Sequence, residues 1–266
     1  MSAVTKYLQV ARITWKSMLA YQADTWLGAA LSGVRVLLSF LLWSAVFAGR
    51  SEVGGYTLPM MITYALLSAM LARLQHQDAL AWQLASEIKA GVFSKYLVHP
   101  ISVVQYFLSA GLGRWSYLLI INAVALIVWG GIFSHWLVLP ASPEAWWIVL
   151  LIPLGAVCML LLNHLVASLS LKYLDVTGLM IIKNTLIEFF SGAFIPLQLL
   201  PALITGLLKF TPFYYVVYYP ASLFINQQAE PPWVAVLVLT GWCCLLYLAN
   251  QVWFRRARRY YEGAGI

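Results

Sequence analysis

Long apolar runs separated by short polar segments dominate the pattern of this chain. Six runs reach the roughly 20 residues that an α-helix needs to cross about 30 Å of hydrocarbon. They cover residues 26–48, 57–74, 103–133, 145–171, 178–195 and 233–254. We therefore predict an all-α integral membrane protein with six transmembrane helices, folded as a single membrane domain over residues 1–266.

Residues 1–22, before the first run, alternate polar and apolar positions with the period of a helix. The polar face carries Thr5, Gln9, Arg12 and Lys16, and the apolar face carries Leu8, Ala11, Trp15 and Met18. This pattern predicts an amphipathic helix in the membrane interface that meets the first span at an elbow. A disordered basic tail is the alternative.

Residues 82–100 form a polar segment between the second and third runs. An apolar residue recurs there at every fourth position, at Leu84, Ile88, Val92 and Tyr96. This spacing predicts a helix, which Pro100 would end. Because a span closes the segment on each side, we expect the helix to lie parallel to the membrane and to move when the spans move.

Residues 196–230, between the fifth and sixth runs, are apolar but interrupted by Pro201, Gly206, Pro212 and Pro220. The pieces between these breaks are too short to cross a membrane, so we predict short re-entrant helices on the outer side. Aromatic residues in this region would form either a belt at the level of the lipid headgroups or part of an outer gate. They are Phe210, Phe213, Tyr214, Tyr215, Tyr218, Tyr219 and Phe224.

Composition and charge support this interpretation and add an orientation. The chain is 62% hydrophobic and 9% charged, with a mean hydropathy of +0.82, which is far from the composition of a soluble domain. Lys and Arg concentrate before the first run, in residues 82–100 and in the tail, residues 255–266. The positive-inside rule therefore predicts that both termini are cytoplasmic. The formal net charge of +7 reflects this orientation, and we expect no nucleic-acid partner.

The sequence predicts no catalytic residue and no metal or cofactor bound by this chain. It lacks the G-x-x-x-x-G-K-[ST] loop that holds nucleotide phosphates and the motifs of zinc proteases and serine hydrolases. The three cysteines lie inside apolar runs, and the four histidines are scattered over different segments.

Ionisable residues within the runs are candidates for function, because a charge in hydrocarbon is costly. Arg35 lies near the middle of the first run, Glu188 lies midway along the fifth, and Lys183 lies nearer its cytoplasmic end. Glu188 is the natural partner of Arg35. Two interpretations stand at this point: an internal ion pair that holds the helices together, or residues that line a substrate path.

Several segments together resemble the permease subunits of ABC-2 type exporters, most closely the short six-span bacterial branch. The likeness rests on the predicted elbow helix, on EIKAGVFSKYLVHPI after the second run, and on FFSGAFIPLQLLPALITGLLKFTPF at the outer end of the fifth. It covers nearly the whole chain. The order of residues in these two motifs is more specific than the number of spans.

The resemblance implies a transporter of two permeases and two ATPase subunits in the bacterial cytoplasmic (inner) membrane, surrounded by membrane lipids. The second permease would be the same or a related chain, and ATP and Mg²⁺ would bind to the partner ATPases. Residues 82–100 would hold the coupling helix, which docks on the ATPase through Glu87, Ile88, Lys89, Gly91 and Lys95. Residues that form either the outer gate or contacts at the membrane interface would include Phe194, Pro196, Phe210, Phe213 and Tyr214.

The resemblance does not fix the substrate, and we expect a hydrophobic or amphipathic molecule. Two other classes of function compete with it. A secondary transporter or channel would show an inverted repeat or interrupted spans with paired acidic residues. A membrane scaffold or an intramembrane enzyme is the other alternative, and the enzyme would need a catalytic pair facing one cavity. Neither feature is visible in the sequence.

Overall fold

The computed structural model describes residues 3–20, 22–75, 77–97, 102–140, 142–173 and 175–257. Over these residues the predicted all-α fold is confirmed, and β pairing is limited to a single bridge between Val53 and Tyr56. The α-helices are α1 (Ala3–Ala20), α2 (Gln22–Val46), α3 (Leu58–Gln75), α4 (Ala79–Lys89), α5 (Ser94–Leu97), α6 (Val103–Ile132), α7 (Ile148–Ser168), α8 (Thr177–Phe190), α9 (Ala202–Leu208), α10 (Phe213–Val216), α11 (Tyr218–Phe224) and α12 (Pro232–Ala257).

Within this part of the chain, five helical stretches are long and apolar enough to cross a membrane. They are Gln22–Val46, Leu58–Lys89, Val103–Ile132, Pro143–Leu171 and Pro232–Ala257. They correspond to the first four predicted spans and to the sixth. The six-span count is not confirmed, because the fifth run is helical only in the 14 residues of α8, which rise about 21 Å.

The turn that ends α8 explains this difference. Gly192 has a φ of +75°, a conformation that side chains with a Cβ rarely adopt. Its carbonyl accepts a 2.5 Å hydrogen bond from the Tyr64 hydroxyl, and the Ser191 carbonyl accepts one of 2.9 Å from the Tyr218 amide. The apolar residues that prolong the run in sequence, up to residue 195, therefore belong to a turn and not to a longer helix.

Helix α1 is helical as predicted and packs along α6. Trp15 and Tyr117 make an edge-to-face contact with ring centroids 5.7 Å apart. At Gly113 a Cβ atom would lie 2.2 Å from the carbonyl oxygen of Ala11, so the two backbones cross in close contact. Gly113 thus serves packing within the chain, as small residues do in membrane helix pairs generally. The position of α1 in the interface stays a prediction.

The tyrosines of residues 196–230 correct the prediction of an aromatic belt. Tyr214, Tyr215, Tyr218 and Tyr219 are almost completely buried in the largest apolar core. Polar partners inside the protein allow this, since the Tyr214 hydroxyl donates to the Glu230 carboxylate at 3.1 Å and Tyr219 to the Glu230 carbonyl at 2.7 Å. Pro201 and Pro212 precede α9 and α10, but α10 and α11 are separated at Val217, and the predicted breaks at Gly206 and Pro220 lie inside α9 and α11. Re-entry into the membrane stays a prediction.

The helix predicted from residue 84 through residue 96 is also wrong as a single element. Helix α4 ends before Gly91, whose φ is +75°, and α5 follows in a new direction. Consequently Leu84, Ile88 and Tyr96 are buried as the stripe predicted, whereas Val92 is 49% exposed at the turn. Pro100, predicted to end this helix, and most of the basic tail, from residue 258 onward, lie outside the described residues.

The close contact between α1 and α6 predicts that alanine destabilises the protein at Gly113 of α6 but not at Gly131 of the same helix. Gly113→Ala should destabilise the protein by about 1–3 kcal/mol, because its methyl group overlaps the backbone of Ala11. Gly131→Ala is the matched control, since no atom lies within 4 Å of the added Cβ there. Thermal unfolding in detergent would measure both, and equal melting temperatures would contradict the crossing.

Candidate functional site

A cleft of about 440 Å³ opens between α2, α3, α7 and α8. Its apolar lining includes Leu31, Ala72, Met159 and Ile187. Its polar and charged lining includes Arg35, Arg73, Asp78, Asn163, Asn184 and Glu188. Polar groups within membrane-spanning helices commonly mark a substrate or ion pathway, so this cleft is the candidate site of the bundle.

Arg35 and Glu188 meet at one end of the cleft. A guanidinium nitrogen of Arg35 lies 3.7 Å from a carboxylate oxygen of Glu188, and the side chains are 31% and 44% exposed. Arg35 also donates to the carbonyl oxygen of Ala193 at 3.2 Å, and its guanidinium carbon lies 4.3 Å from the ring centroid of Phe194. The two side chains predicted as partners are therefore neighbours, and both also line the cleft.

Lys183 does not join this pair. Its side chain is buried, and its ammonium group donates to the amide oxygen of Asn163 on α7. The amide nitrogen of Asn163 in turn donates to the Gln77 carbonyl oxygen at 2.7 Å. The structure thus separates the three predicted ionisable residues into one pair at the end of the cleft and one lysine bound within the bundle.

Sequence reasoning missed Arg73 and Asp78 as residues of the cleft. Arg73 donates to the Thr25 carbonyl oxygen at 2.5 Å and to the Asn122 amide oxygen at 3.3 Å. Asp78 accepts a 2.5 Å hydrogen bond from Asn184. Both ionisable residues lie near the end of the second apolar run, where a charged residue is common. Polar residues inside an apolar run, such as Asn122 and Asn163, are the sequence signal that could have indicated them, because such residues need polar partners in the fold.

Glu87, the first predicted docking residue, is directed back into its own segment. One carboxylate oxygen accepts from the Lys95 ammonium at 2.8 Å and from Gln83 at 2.9 Å, and the other accepts from the Tyr96 hydroxyl at 2.7 Å. The bonds from Lys95 and Tyr96 connect α4 to α5 across the Gly91 turn. Glu87 and the buried Ile88 therefore hold the segment together, and of the predicted residues Lys89 and Lys95 are the exposed ones.

Lys89 pairs with Asp175, which precedes α8. The ammonium nitrogen lies 3.0 Å from a carboxylate oxygen, and both side chains are more than half exposed. The other carboxylate oxygen accepts from the Thr177 amide at 2.8 Å. Hydrogen bonds from Thr177, together with the nearby Lys89 charge, lower the pKa of Asp175 below its ordinary value, so Asp175 is ionised near neutral pH.

The predicted outer-gate residues do not share one environment. Phe194 is exposed and contacts Arg35 of the cleft, whereas Phe210 is 78% exposed and its carbonyl oxygen accepts from the Trp242 indole of α12. Pro196 is buried, Phe213 is half-buried, and Tyr214 lies in the core. Of these five, Phe194 is the residue that the structure brings into contact with the candidate site.

The described part of the chain contains no group of three His, Cys, Asp or Glu side chains that could hold a metal ion. His164 is buried, with its Nδ1 atom 2.6 Å from the amide oxygen of Asn250, and its ring packs on Phe107. The polar side chains that line the cleft carry guanidinium, carboxylate and amide groups, which can bind the charged and polar parts of a ligand.

The comparisons with known proteins agree with this architecture. The family model described as "ABC-2 family transporter protein" matches residues 34–265, which include α4, α5, α8 and most of the residues that line the cleft. No curated protein matches the chain. Since the match spans most of the chain, and apolar helices of membrane-crossing length make it a multi-pass membrane protein, the protein belongs to the ABC-2 family of transporters.

Proposed function

We propose that this chain is the permease subunit of an ATP-binding cassette exporter, and that it forms the substrate path while a separate subunit hydrolyses ATP. The observation that carries the proposal is the charged cleft between helices of a chain that belongs to a transporter family. A cleft of this size is typical of sites that bind small molecules. In this proposal the chain itself is not an enzyme.

The substrate class follows from the lining of the cleft. Apolar side chains such as Leu31 and Met159 alternate with the charged Arg35, Arg73 and Glu188. A purely hydrophobic molecule would displace water from those charged side chains without offering them a polar partner. A purely polar molecule would bury no apolar surface of its own against the apolar lining. An amphipathic substrate satisfies both parts of the lining.

The proposed assembly contains two permeases and two ATPase subunits, and the ATPases bind ATP and Mg²⁺. Exposed apolar side chains flank the cleft on α2, at Leu31 and Leu38, and on α8, at Ile182 and Phe189. A second permease, the same chain or a related one, or membrane lipid would cover these faces. When the ATPases close on each other, the membrane spans would move and the substrate path would change between inward-facing and outward-facing states.

The proposed topology follows from the positions of the basic residues. Lys and Arg concentrate in α1, in α4 and α5, and at the end of α12, so these elements are assigned to the cytoplasm. Helix α1 then becomes the interfacial elbow. Helix α8, with the turn after it, forms the fifth of six crossings, and α9 to α11 form the outer re-entrant region. The membrane is the bacterial cytoplasmic membrane.

Docking on the ATPase is assigned to the exposed side of the turn between α4 and α5. Glu87, Ile88 and Tyr96 are committed to the interior of the segment. The surface offered to a partner is therefore made by Lys89, Val92 and Lys95, on either side of Gly91. This assignment narrows the predicted coupling residues to those that a partner can reach.

A charge placed on this turn should release the ATPase. Tagged protein purified in mild detergent should retain a stoichiometric ATPase, and Val92→Asp should reduce the retained amount by about tenfold or more, since an unpaired charge at an apolar contact costs at least about 1.4 kcal/mol. Leu139→Asp is the control, an exposed apolar residue in the loop after α6. Mass spectrometry of the eluate measures both. Equal retention would place the docking surface elsewhere.

The role of Lys89 can be separated from its ion pair with Asp175. If Lys89 contacts the ATPase, Lys89→Gln lowers retention about 2- to 5-fold, as for an exposed interface charge. Asp175→Asn keeps an acceptor for the Thr177 amide and leaves the lysine charge in place, so it should lower retention less. Similar losses in the two variants would show that Lys89 acts only through Asp175.

The pair of Arg35 and Glu188 should contribute little to stability and much to substrate recognition. Because both side chains are about a third exposed or more, Glu188→Gln should change the free energy of unfolding by less than about 1 kcal/mol. It should shift the relative stimulation of ATPase activity by cationic and anionic amphiphiles, measured on the purified complex. Unchanged stimulation with strongly lowered stability would instead support a purely structural pair.

A further inference from the structure

Helix α4 is bound by polar side chains to α8, a helix far from it in sequence. In sequence α4 follows α3 and precedes α5 and α6, and its apolar face packs mainly against α7. Polar contacts nevertheless connect both of its ends to α8 or to the residues before α8. Apolar packing is not directional, so these hydrogen bonds fix the position of α4 relative to α8.

We call each polar contact between α4 and α8, or the residues before α8, a tether, and the first tether lies at the start of α4. Asp78 occupies the N-cap position, where a carboxylate usually accepts from an amide of its own helix, but here it makes no such bond. Its carboxylate instead accepts from the Asn184 amide of α8 at 2.5 Å and from the Trp82 indole at 2.7 Å. Trp82 holds the carboxylate in position, and Asn184 connects it to α8.

A second connection supports the same end. Lys183 of α8 donates to Asn163, and Asn163 donates to the carbonyl oxygen of Gln77, just before α4. Lys183 and Asn163 are 8% and 5% exposed. Bonds between buried polar groups are costly to break, because each leaves a donor or acceptor without water.

The second tether is at the end of α4. Lys89 is the last residue of the helix and lies 3.0 Å from Asp175, whose other oxygen accepts from the amide of Thr177, the first residue of α8. Between this pair and the first tether lies a crevice of about 110 Å³, lined by Trp82, Ala85 and Val176. The two surfaces are therefore not fully packed there, and the tethers bridge the gap.

We infer that Asp78–Asn184 and Lys89–Asp175 fix α4 to α8, so that a displacement of α4 moves α8 and the cleft residue Glu188 with it. The inference rests on the proposed function, which supplies the ATPase that displaces α4. Glu188 follows Asn184 by one helical turn. The far end of α8 is held in the core by the bonds of Ser191 and Gly192 to Tyr218 and Tyr64. Motion at the α4 end therefore tilts α8 about this turn.

The test compares hydrogen exchange in the complex of permease and ATPase, reconstituted in nanodiscs, before and after trapping with ATP and vanadate. In the wild-type complex, trapping should change exchange in peptides from both α4 and α8. In the double variant Asn184→Leu with Asp175→Asn, the change in α4 should persist and the change in α8 should fall at least threefold. An α8 response of wild-type size in the double variant would overturn the inference.

Thr185→Val is the matched control, because the Thr185 hydroxyl donates to the Ile181 carbonyl oxygen of its own helix at 3.0 Å and not to α4. It should respond as wild type does. If Thr185→Val also reduced the exchange change in α8, removal of any polar group from α8 would be enough to reduce it. That result would overturn the inference.

A thermal measurement on the permease alone keeps the two proposals distinguishable. Asn184→Leu and Asp78→Ala should each lower the melting temperature. A chain that carries both of these substitutions should show a decrease clearly smaller than the sum of the two, because each substitution removes the same hydrogen bond. Additive shifts would overturn the tether whether or not an ATPase is bound. Purification of the wild-type chain without any ATPase would overturn the proposed function and leave this thermal result to decide the tether.

Discussion

The cost of a polar group without a partner in hydrocarbon shapes the interior of this protein. Three cations within or beside the bundle each reach an oxygen on a different element. Arg35 reaches the Ala193 carbonyl, Arg73 the Thr25 carbonyl, and Lys183 the Asn163 amide. Because a polar group inside a membrane domain needs a partner that the protein or a polar cleft supplies, such bonds help to determine which helices are neighbours.

The same constraint explains which parts of the fold could be predicted from sequence. Apolar length predicted α2, α3, α6, α7 and α12 nearly to their ends, because membrane thickness acts on each helix separately. The end of α8 could not be predicted in this way. It depends on Gly192, whose backbone conformation is fixed by Tyr64 and Tyr218, more than 20 residues away in either direction. Contacts of that kind leave no periodic signal.

The candidate site was partly predictable for a related reason. Arg35 and Glu188 are conspicuous because they interrupt apolar runs, and the structure makes them neighbours. Asp78 lies just past the end of a run, where a charge is ordinary, and only the fold shows that it accepts from Asn184. The burial of the tyrosines of α10 and α11 could not be predicted. Aromatic composition does not distinguish a ring at the membrane interface from a buried ring such as that of Tyr214, whose hydroxyl donates to Glu230.

The three hydrogen bonds to Glu87 have a further consequence for association. Those from Lys95 and Tyr96 close α4 onto α5 before any partner is present, so the turn at Gly91 and the exposed Val92 are already ordered in the free chain. A partner that binds this turn loses little conformational entropy in arranging it. Binding energy that would otherwise be consumed in folding a loop can appear instead as affinity, and the speed of association is not limited by a slow ordering step.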